Sequence, residues 1–234
     1  MKAIILQHEN GTPPGSTTLW LEKNNISYEI IRTDQKSLVL ESKNFNILVI
    51  CGGSMNIDQE NKFPWLIEEK KIIKTAIHES KLVIGLCLGA QLIAEALGGK
   101  VRPMSGTEFG WQDVQLIDDS IWNSSAKTLK VFQWHSYCFS NIPGAKTIAT
   151  SPQCAEQAFV FKKNVMGFQF HPESNHEWIK ECAEERVLPA GPYCQTKAEV
   201  LEIIHQQVEL QSMYFKVLDP FLKNWKEQLP PMQR

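Results

Sequence analysis

The chain has no Cys-x-x-Cys pair and no His-x-x-x-His pair, which removes the common ligand spacings of a zinc site. It lacks an excess of charge of either sign: 24 Lys and Arg stand against 26 Asp and Glu, a net of −2. That balance gives no electrostatic reason to expect nucleic acid or an anionic membrane as a partner. Long apolar runs are missing too. The longest near the N-terminus, Ala3 to Leu6, is too short for a signal-peptide core, and nothing approaches a membrane span. No internal repeat or low-complexity segment is present. Cysteines stand at 51, 87, 138, 154, 182 and 194 without paired spacing, in a chain too long to need stapling. They read as free thiols in a reducing compartment, with the cytoplasm as the expected location. Cys182, Cys194 and His176 read as scattered groups rather than metal ligands, and no cofactor is expected.

What is present is an ordinary core-forming composition. With 43% hydrophobic residues in 234, the chain can bury a full core, either as one α/β domain with an appendage or as two small domains. Short apolar strands are expected at 2–6, 28–32, 46–51 and 82–86. Helices alternate with them: one opened by the Pro13–Thr17 cluster and running to about 24, one from Pro64 to about 80, and one from 88 to about 97. Continuous apolar strands between helices argue for a parallel sheet covered on both faces. After residue 100 the pattern changes to short strands at 113–117, 128–132, 147–149, 158–161 and 165–170, an antiparallel extension of the sheet or a small subsheet. A helix is expected at 174–185, and a break at Pro189-Ala190-Gly191-Pro192. The capping-box pattern Thr196-Lys197-Ala198-Glu199 opens a long helix to about 215, with Pro220 and Pro230-Pro231 bounding the tail. Val200, Leu201, Ile204, Val208 and Leu210 on that helix can serve packing on the domain or on a second copy of the chain. The expected architecture is a three-layer α/β sandwich with a mostly parallel sheet over 1–185, and a helical C-terminal extension over 186–234.

The chemistry concentrates first in Val83-Ile84-Gly85-Leu86-Cys87-Leu88-Gly89-Ala90-Gln91. It reads as a buried strand turning sharply into a helix, with a cysteine on the turn. Gly85 and Gly89 flank Cys87 with the spacing of a nucleophile elbow, where side chains two positions away are expected to crowd the turn. The turn sets the sulfur at a helix N-terminus, whose partial positive charge favours an anion there. Cys51 and Cys154 read as core cysteines by contrast.

A second element, His171-Pro172-Glu173, follows the strand that starts at Val165. In an extended chain residues i and i+2 project to one side, so His171 and Glu173 can enter one site. A carboxylate on one ring nitrogen leaves the other free to act as a base. Cys87 and His171 meet only if their strands end on a common edge, which a parallel sheet supplies. The third element is Gly52-Gly53 at another strand end. The N–H groups of Gly53 and Leu88 are the candidates for an oxyanion hole. Trp65 and Trp111 read most simply as core aromatics.

Taken together, Gly85-Leu86-Cys87-Leu88-Gly89-Ala90-Gln91 and His171-Pro172-Glu173 resemble the class I glutamine amidotransferases, and among them the stand-alone proteins similar to the amidotransferase domain of GMP synthase. The likeness runs from about Ile47 to Glu173 and includes Pro64-Trp65-Leu66, Glu108-Phe109-Gly110-Trp111 and Gln133-Trp134-His135-Ser136. The resemblance implies a triad of Cys87, His171 and Glu173 that forms a γ-glutamyl thioester and releases ammonia. It implies that Gln91 and a Trp134–Tyr137 loop, Ser136 and Tyr137 included, hold the amino-acid end of glutamine. Many relatives carry Asp where Tyr137 stands. His135 is read as a loop-packing residue. Residues 174–234 contain no phosphate-cradling glycine loop, so the expected acceptor of ammonia is a separate synthetase subunit or none. Three readings stand: a glutamine amidotransferase or glutaminase, a free-standing γ-glutamyl hydrolase or peptidase with the same triad, and a non-catalytic regulatory protein on this scaffold.

Overall fold

The computed structural model describes residues 1–35 and 40–229. Its strands are β1 (Lys2–Gln7), β2 (Ser27–Arg32), β3 (Ile47–Ile50), β4 (Leu82–Leu86), β5 (Lys100–Leu116), β6 (Thr128–Ser140), β7 (Ala145–Thr150), β8 (Ala158–Phe161) and β9 (Val165–Phe168). The helices are α1 (Ser16–Lys23), α2 (Trp65–His78), α3 (Leu88–Ala96), α4 (Asp119–Trp122), α5 (His176–Glu185), α6 (Lys197–Glu202) and α7 (Gln206–Lys226). All nine strands join one sheet in the order β2-β1-β3-β4-β9-β8-β7-β5-β6. Pairing is parallel from β2 across to β9 and antiparallel from β9 to β6. The second half of the chain therefore extends the same sheet rather than forming a separate one.

The central strands are apolar throughout because both of their faces are covered. Side chains alternate across the sheet: Ile47, Val49, Leu82, Ile84 and Leu86 enter one core, while Leu48, Ile50 and Val83 enter the other. The first core is closed by α1, α5, α6 and α7, the second by α2 and α3. Each fully buried Ile or Leu contributes about 1.5–3 kcal/mol, so these two faces dominate the stability of the layered core.

Four sequence expectations need correction. β5 and β6 are far longer than the short strands expected. The register shift between Pro103 and Glu108 accommodates the proline in an irregularity of the ladder. The Trp134–Tyr137 stretch consequently lies on β6 and not on a loop. The capping box is present, with Thr196 and Glu199 satisfying each other, yet the helix it opens stops at Glu202 and α7 starts afresh at Gln206. Pro220 sits inside α7 instead of bounding the tail. A mid-helix proline costs about 3 kcal/mol, and the apolar face that continues past it through Leu210, Tyr214, Val217, Leu218, Leu222 and Trp225, all buried, outweighs that. The Pro230-Pro231 boundary lies outside the described residues.

The helix α7 is fastened to the body by polar contacts as well. Tyr214 Oη meets Thr17 Oγ1 at 3.1 Å, Trp20 Nε1 donates to Asp219 Oδ1 at 2.8 Å, and Trp225 Nε1 donates to the Ser80 carbonyl at 2.9 Å. Val200 and Leu210 face the domain, whereas Val208 is 67% exposed.

Candidate active site

Three neighbouring parallel strands end on one edge, and each delivers a chemical group there. The pairings Ile50↔Gly85 and Leu86↔Phe168 put the ends of β3, β4 and β9 side by side, about 4.8 Å from strand to strand. β3 runs on into Cys51-Gly52-Gly53, β4 into Cys87, and β9 into Gln169-Phe170-His171. Cys87 occupies the turn with φ of 49° and ψ of −105°, at the cap position of α3. A non-glycine residue with positive φ is strained, and here hydrogen bonds hold it: Cys87 N donates to the Phe168 carbonyl at 2.7 Å, and Gln91 N to the Cys87 carbonyl at 3.1 Å.

The flanking glycines are needed, for a different reason from crowding around the sulfur. A Cβ at Gly89 would run into the Ile50 carbonyl of β3. A Cβ at Gly85 would stand 2.7 Å from Ala90 N and from Gly89 C. The glycines let α3 lie directly on β3 and let the turn fold over itself. Gly15 plays a related part at the neighbouring loop, where its φ is +51° and a Cβ would meet the Glu173 carbonyl; that carbonyl accepts from Ser16 N at 2.8 Å.

His171 Nδ1 lies 2.8 Å from Glu173 Oε1, both side chains being 4% exposed. A Cβ on Gly52 would sit 3.0 Å from His171 Cε1 and 3.6 Å from Cys87 Cβ, so all three meet at one point. The ring also tilts against Trp178, with centroids 5.0 Å apart. The Cys87 sulfur interacts with the His171 ring and also lies 3.7 Å from the Trp134 carbonyl and 3.8 Å from Gln169 Nε2. Burial disfavours a charged His171 ring, but Glu173 and Cys87 outweigh burial and lift its pKa from 6.5 to about 10. A pKa raised on folding stabilises the folded state fully below pH 6.5, and that contribution is lost as pH rises towards about 10. Urea unfolding from pH 6 to 10 is therefore expected to show wild-type stability falling with a steeper slope than Glu173→Gln, which lacks the main group raising the pKa. Equal slopes would refute the coupling. Cys51, one residue before Gly52, differs: burial, with Glu173 and Glu69 adding to it, pushes its thiol well up, so it stays an inert core group.

A cavity of about 280 Å³ opens over these groups and is lined by Gly53, Cys87, Leu88, Gln91, Ser136, Tyr137 and His171 among others. All the site residues expected from sequence except Glu173 border it; Glu173 lies behind the His171 ring. Gln91 Nε2 is taken up by the Tyr137 carbonyl at 3.1 Å and Gln169 Oε1 at 3.3 Å, so this residue braces β6 as well as facing the cavity. His135 is buried in the same wall, 3.0 Å from Glu108 Oε2 and with Nδ1 2.9 Å from the Tyr137 carbonyl, as a packing role requires. Sequence reasoning missed Arg186, which also lines the cavity. Arg186 stacks over Trp134 at 5.5 Å and donates to the Gly11 carbonyl and to Glu181. It also missed Glu9, which accepts from Ser54 N and Ser54 Oγ at 2.9 and 2.8 Å. Neither has a local pattern that could have announced it. Among the described residues there is no group of three or more His, Cys, Asp or Glu able to hold a metal, and no helix long and apolar enough to cross a membrane.

Comparison with known proteins identifies the family to which the chain belongs. The family model for class I glutamine amidotransferases matches residues 18–186. A glutamine-hydrolysing GMP synthase subunit from Saccharolobus solfataricus is 32% identical over 145 residues, covering 59% of this chain and 72% of the relative. Gamma-glutamyl peptidase 4 of Arabidopsis thaliana is 28% identical over 184 residues, 75% of this chain and 72% of the relative. The crystal structure of a glutamine amidotransferase from Methylobacillus flagellatus superposes with a TM-score of 0.90 at 27% identity, over 100% of this chain and 98% of that one. The chain belongs to the class I glutamine amidotransferase family.

Proposed function

We propose that the chain hydrolyses the side-chain amide of glutamine through Cys87, His171 and Glu173. The observation that carries this reading is the convergence of Cys87, on its strained turn, with a His171 ring backed by Glu173 at 2.8 Å. The Cys87 thiolate attacks the amide carbon, and the negative oxygen of the tetrahedral intermediate is held by the N–H groups of Gly53 and Leu88. The protonated His171 ring gives its proton to the departing nitrogen, which leaves as ammonia. Water, deprotonated by the now neutral ring, then attacks the γ-glutamyl thioester and releases glutamate, restoring the sulfur. Glu173 keeps the ring in orientation and stabilises its charged form. Gln91, Ser136 and Tyr137 line the side of the cavity suited to the amino-acid end of the substrate. Ammonia would pass to a separate synthetase chain, an arrangement that the name of the GMP synthase relative, one subunit of that enzyme, implies for that protein.

A second reading, a free-standing γ-glutamyl hydrolase, is favoured by the likeness to gamma-glutamyl peptidase 4. The same triad serves it, with a γ-glutamyl amine or peptide in place of glutamine. A non-catalytic role is disfavoured because a relic would be free to lose Cys87, His171 or Glu173, and all three are intact. A panel of glutamine, γ-glutamyl amides and γ-glutamyl dipeptides, with glutamate and the released amine both measured, separates the readings. Glutamine alone is expected to yield ammonia and glutamate in equal amounts, slowly in the absence of a partner. Rapid unaided turnover of a γ-glutamyl peptide, with glutamine inert, would replace the first reading by the second.

A further inference from the structure

Another buried histidine–carboxylate pair lies beside the Gly52-Gly53 peptide, and the mechanism does not use it. His8, at the end of β1, and Glu69, on α2, are both 0% exposed, with Nε2 to Oε1 at 2.9 Å. The other ring nitrogen, Nδ1, lies 2.7 Å from the Gly52 carbonyl. A carbonyl oxygen only accepts, so Nδ1 must carry a proton and donate to it. Burial works against a charge on the His8 ring, but Glu69, the Gly52 carbonyl and Glu9 more than offset it, and the pKa rises above 6.5. The ring faces Glu69 from α2 and Glu9 from its own strand end, and Trp65 stacks on it at 5.2 Å with planes 13° apart, a contact suited to a cation. Burying an ion pair this completely is an expensive way to fill space.

The placement gives it a purpose. Among the described residues there are no cis peptides, and in a trans peptide the C=O and N–H point in opposite directions. With the Gly52 carbonyl held towards His8, the Gly53 N–H of the same peptide points away from His8. The Gly52 Cα faces Cys87 and His171, and Gly53 borders the cavity. Glycine–glycine peptides turn over easily because neither residue carries a Cβ, so an unheld peptide here could present its carbonyl to the cavity instead. We propose that His8, held by Glu69, is a positioning residue: it fixes the orientation of the Gly52-Gly53 peptide and so aims the Gly53 N–H at the oxygen of the tetrahedral intermediate. This deepens the proposed glutamine hydrolysis and rests on it.

The amide nitrogen of glutamine overlays Nε2 of histidine, and that of asparagine overlays Nδ1. His8→Gln therefore keeps a donor towards Glu69 and loses the one towards Gly52, while His8→Asn does the reverse. Each is assayed on the best substrate of the panel for kcat and KM, and for the rate at which iodoacetamide alkylates the Cys87 peptide by mass spectrometry. Alkylation needs the nucleophile but no oxyanion hole. Removing one oxyanion donor lowers kcat about 10²–10³-fold, and misaiming one is expected to cost at least about tenfold. His8→Gln should show that loss in kcat, with KM and Cys87 alkylation within about threefold of wild type, and His8→Asn should recover most of it. An unchanged kcat in His8→Gln overturns the proposal, as does an equal loss of alkylation, which would assign His8 to the nucleophile or to folding. If His8→Gln does not fold, Glu69→Gln, isosteric and uncharged, takes its place. It should lower kcat with alkylation preserved, and an unchanged kcat there counts against the idea equally. A wild-type protein that turns over no γ-glutamyl substrate would remove the underlying reading instead, a result visible before any variant is made.

Discussion

Cys87→Ala is expected to lower the turnover of glutamine or any γ-glutamyl substrate by at least about 10⁴-fold while leaving the fold in place. The size of the loss follows from the covalent step. Without the sulfur no thioester forms, and what remains is whatever the cavity contributes by binding and by polarising the amide. The survival of the fold follows from how little the sulfur holds. Its contacts with the Trp134 carbonyl and Gln169 are 3.7 and 3.8 Å long, its interaction with His171 serves the chemistry, and the hydrogen bonds that fix the turn belong to the Cys87 backbone. Alanine carries the same Cβ as cysteine, so the strain of the positive φ is unchanged. The melting temperature of the variant should stay within a few degrees of wild type. A glutamine analogue bearing an electrophilic diazo ketone is expected to add once to the wild-type protein, on Cys87, and not to the variant. An adduct on Cys51 or Cys138, or full turnover by the variant, would remove the thioester from the mechanism.

The parts of this molecule that were legible in its sequence are those whose signal is local. Leu82–Leu86 is an unbroken apolar run ending at a glycine-flanked cysteine, and the strand occupies those same five residues. His171 and Glu173 stand two apart after a strand and meet at 2.8 Å, although through a turn at 172–173 rather than the extended chain expected. What could not be read depends on partners distant in the chain. His8 and Glu69 are separated by α1, β2 and β3, and each alone looks like a surface residue. The long β5–β6 hairpin hides behind Pro103, Gly106 and Gly110, and behind Gln133 and His135, polar residues buried within it. Pro220 reads as a terminator until the packing of α7 against α1 supplies the energy that retains it. The reason for Gly89 was also out of reach, since it lies in the carbonyl of a residue on another strand.

That carbonyl makes Gly89→Ala a damaging change despite its small size. Helix propensity alone favours alanine over glycine by about 1 kcal/mol, so position 89 on α3 would gain stability if space allowed. It does not, because the new methyl would run into the Ile50 carbonyl and stand 2.8 Å from Ile50 C and Cβ. Backbone atoms cannot rotate aside as a side-chain tip can, so α3 and β3 must separate. Overpacking of this kind costs about 1–3 kcal/mol or more, and parting the two elements also opens the apolar contacts of Leu88, Leu92 and Ile93 with that core face. A net loss of about 2–4 kcal/mol is expected, which for a chain of this size lowers the melting temperature by about 5–15 °C. Activity should fall beyond what the loss of folded protein explains, because β3 leads into Gly52-Gly53 and Cys87 caps α3, so their separation moves Gly53, proposed here as an oxyanion donor, away from the sulfur. Gly191→Ala is the control: its Cβ would meet nothing closer than the Cys194 sulfur at 3.8 Å, and it should be neutral or stabilising by up to about 1 kcal/mol. Calorimetry and assays of the two variants side by side test the contact. A Gly89→Ala protein as stable and active as the Gly191→Ala control would mean that α3 and β3 are not held at this distance, and the close approach that joins the elbow to the oxyanion strand would have to be abandoned.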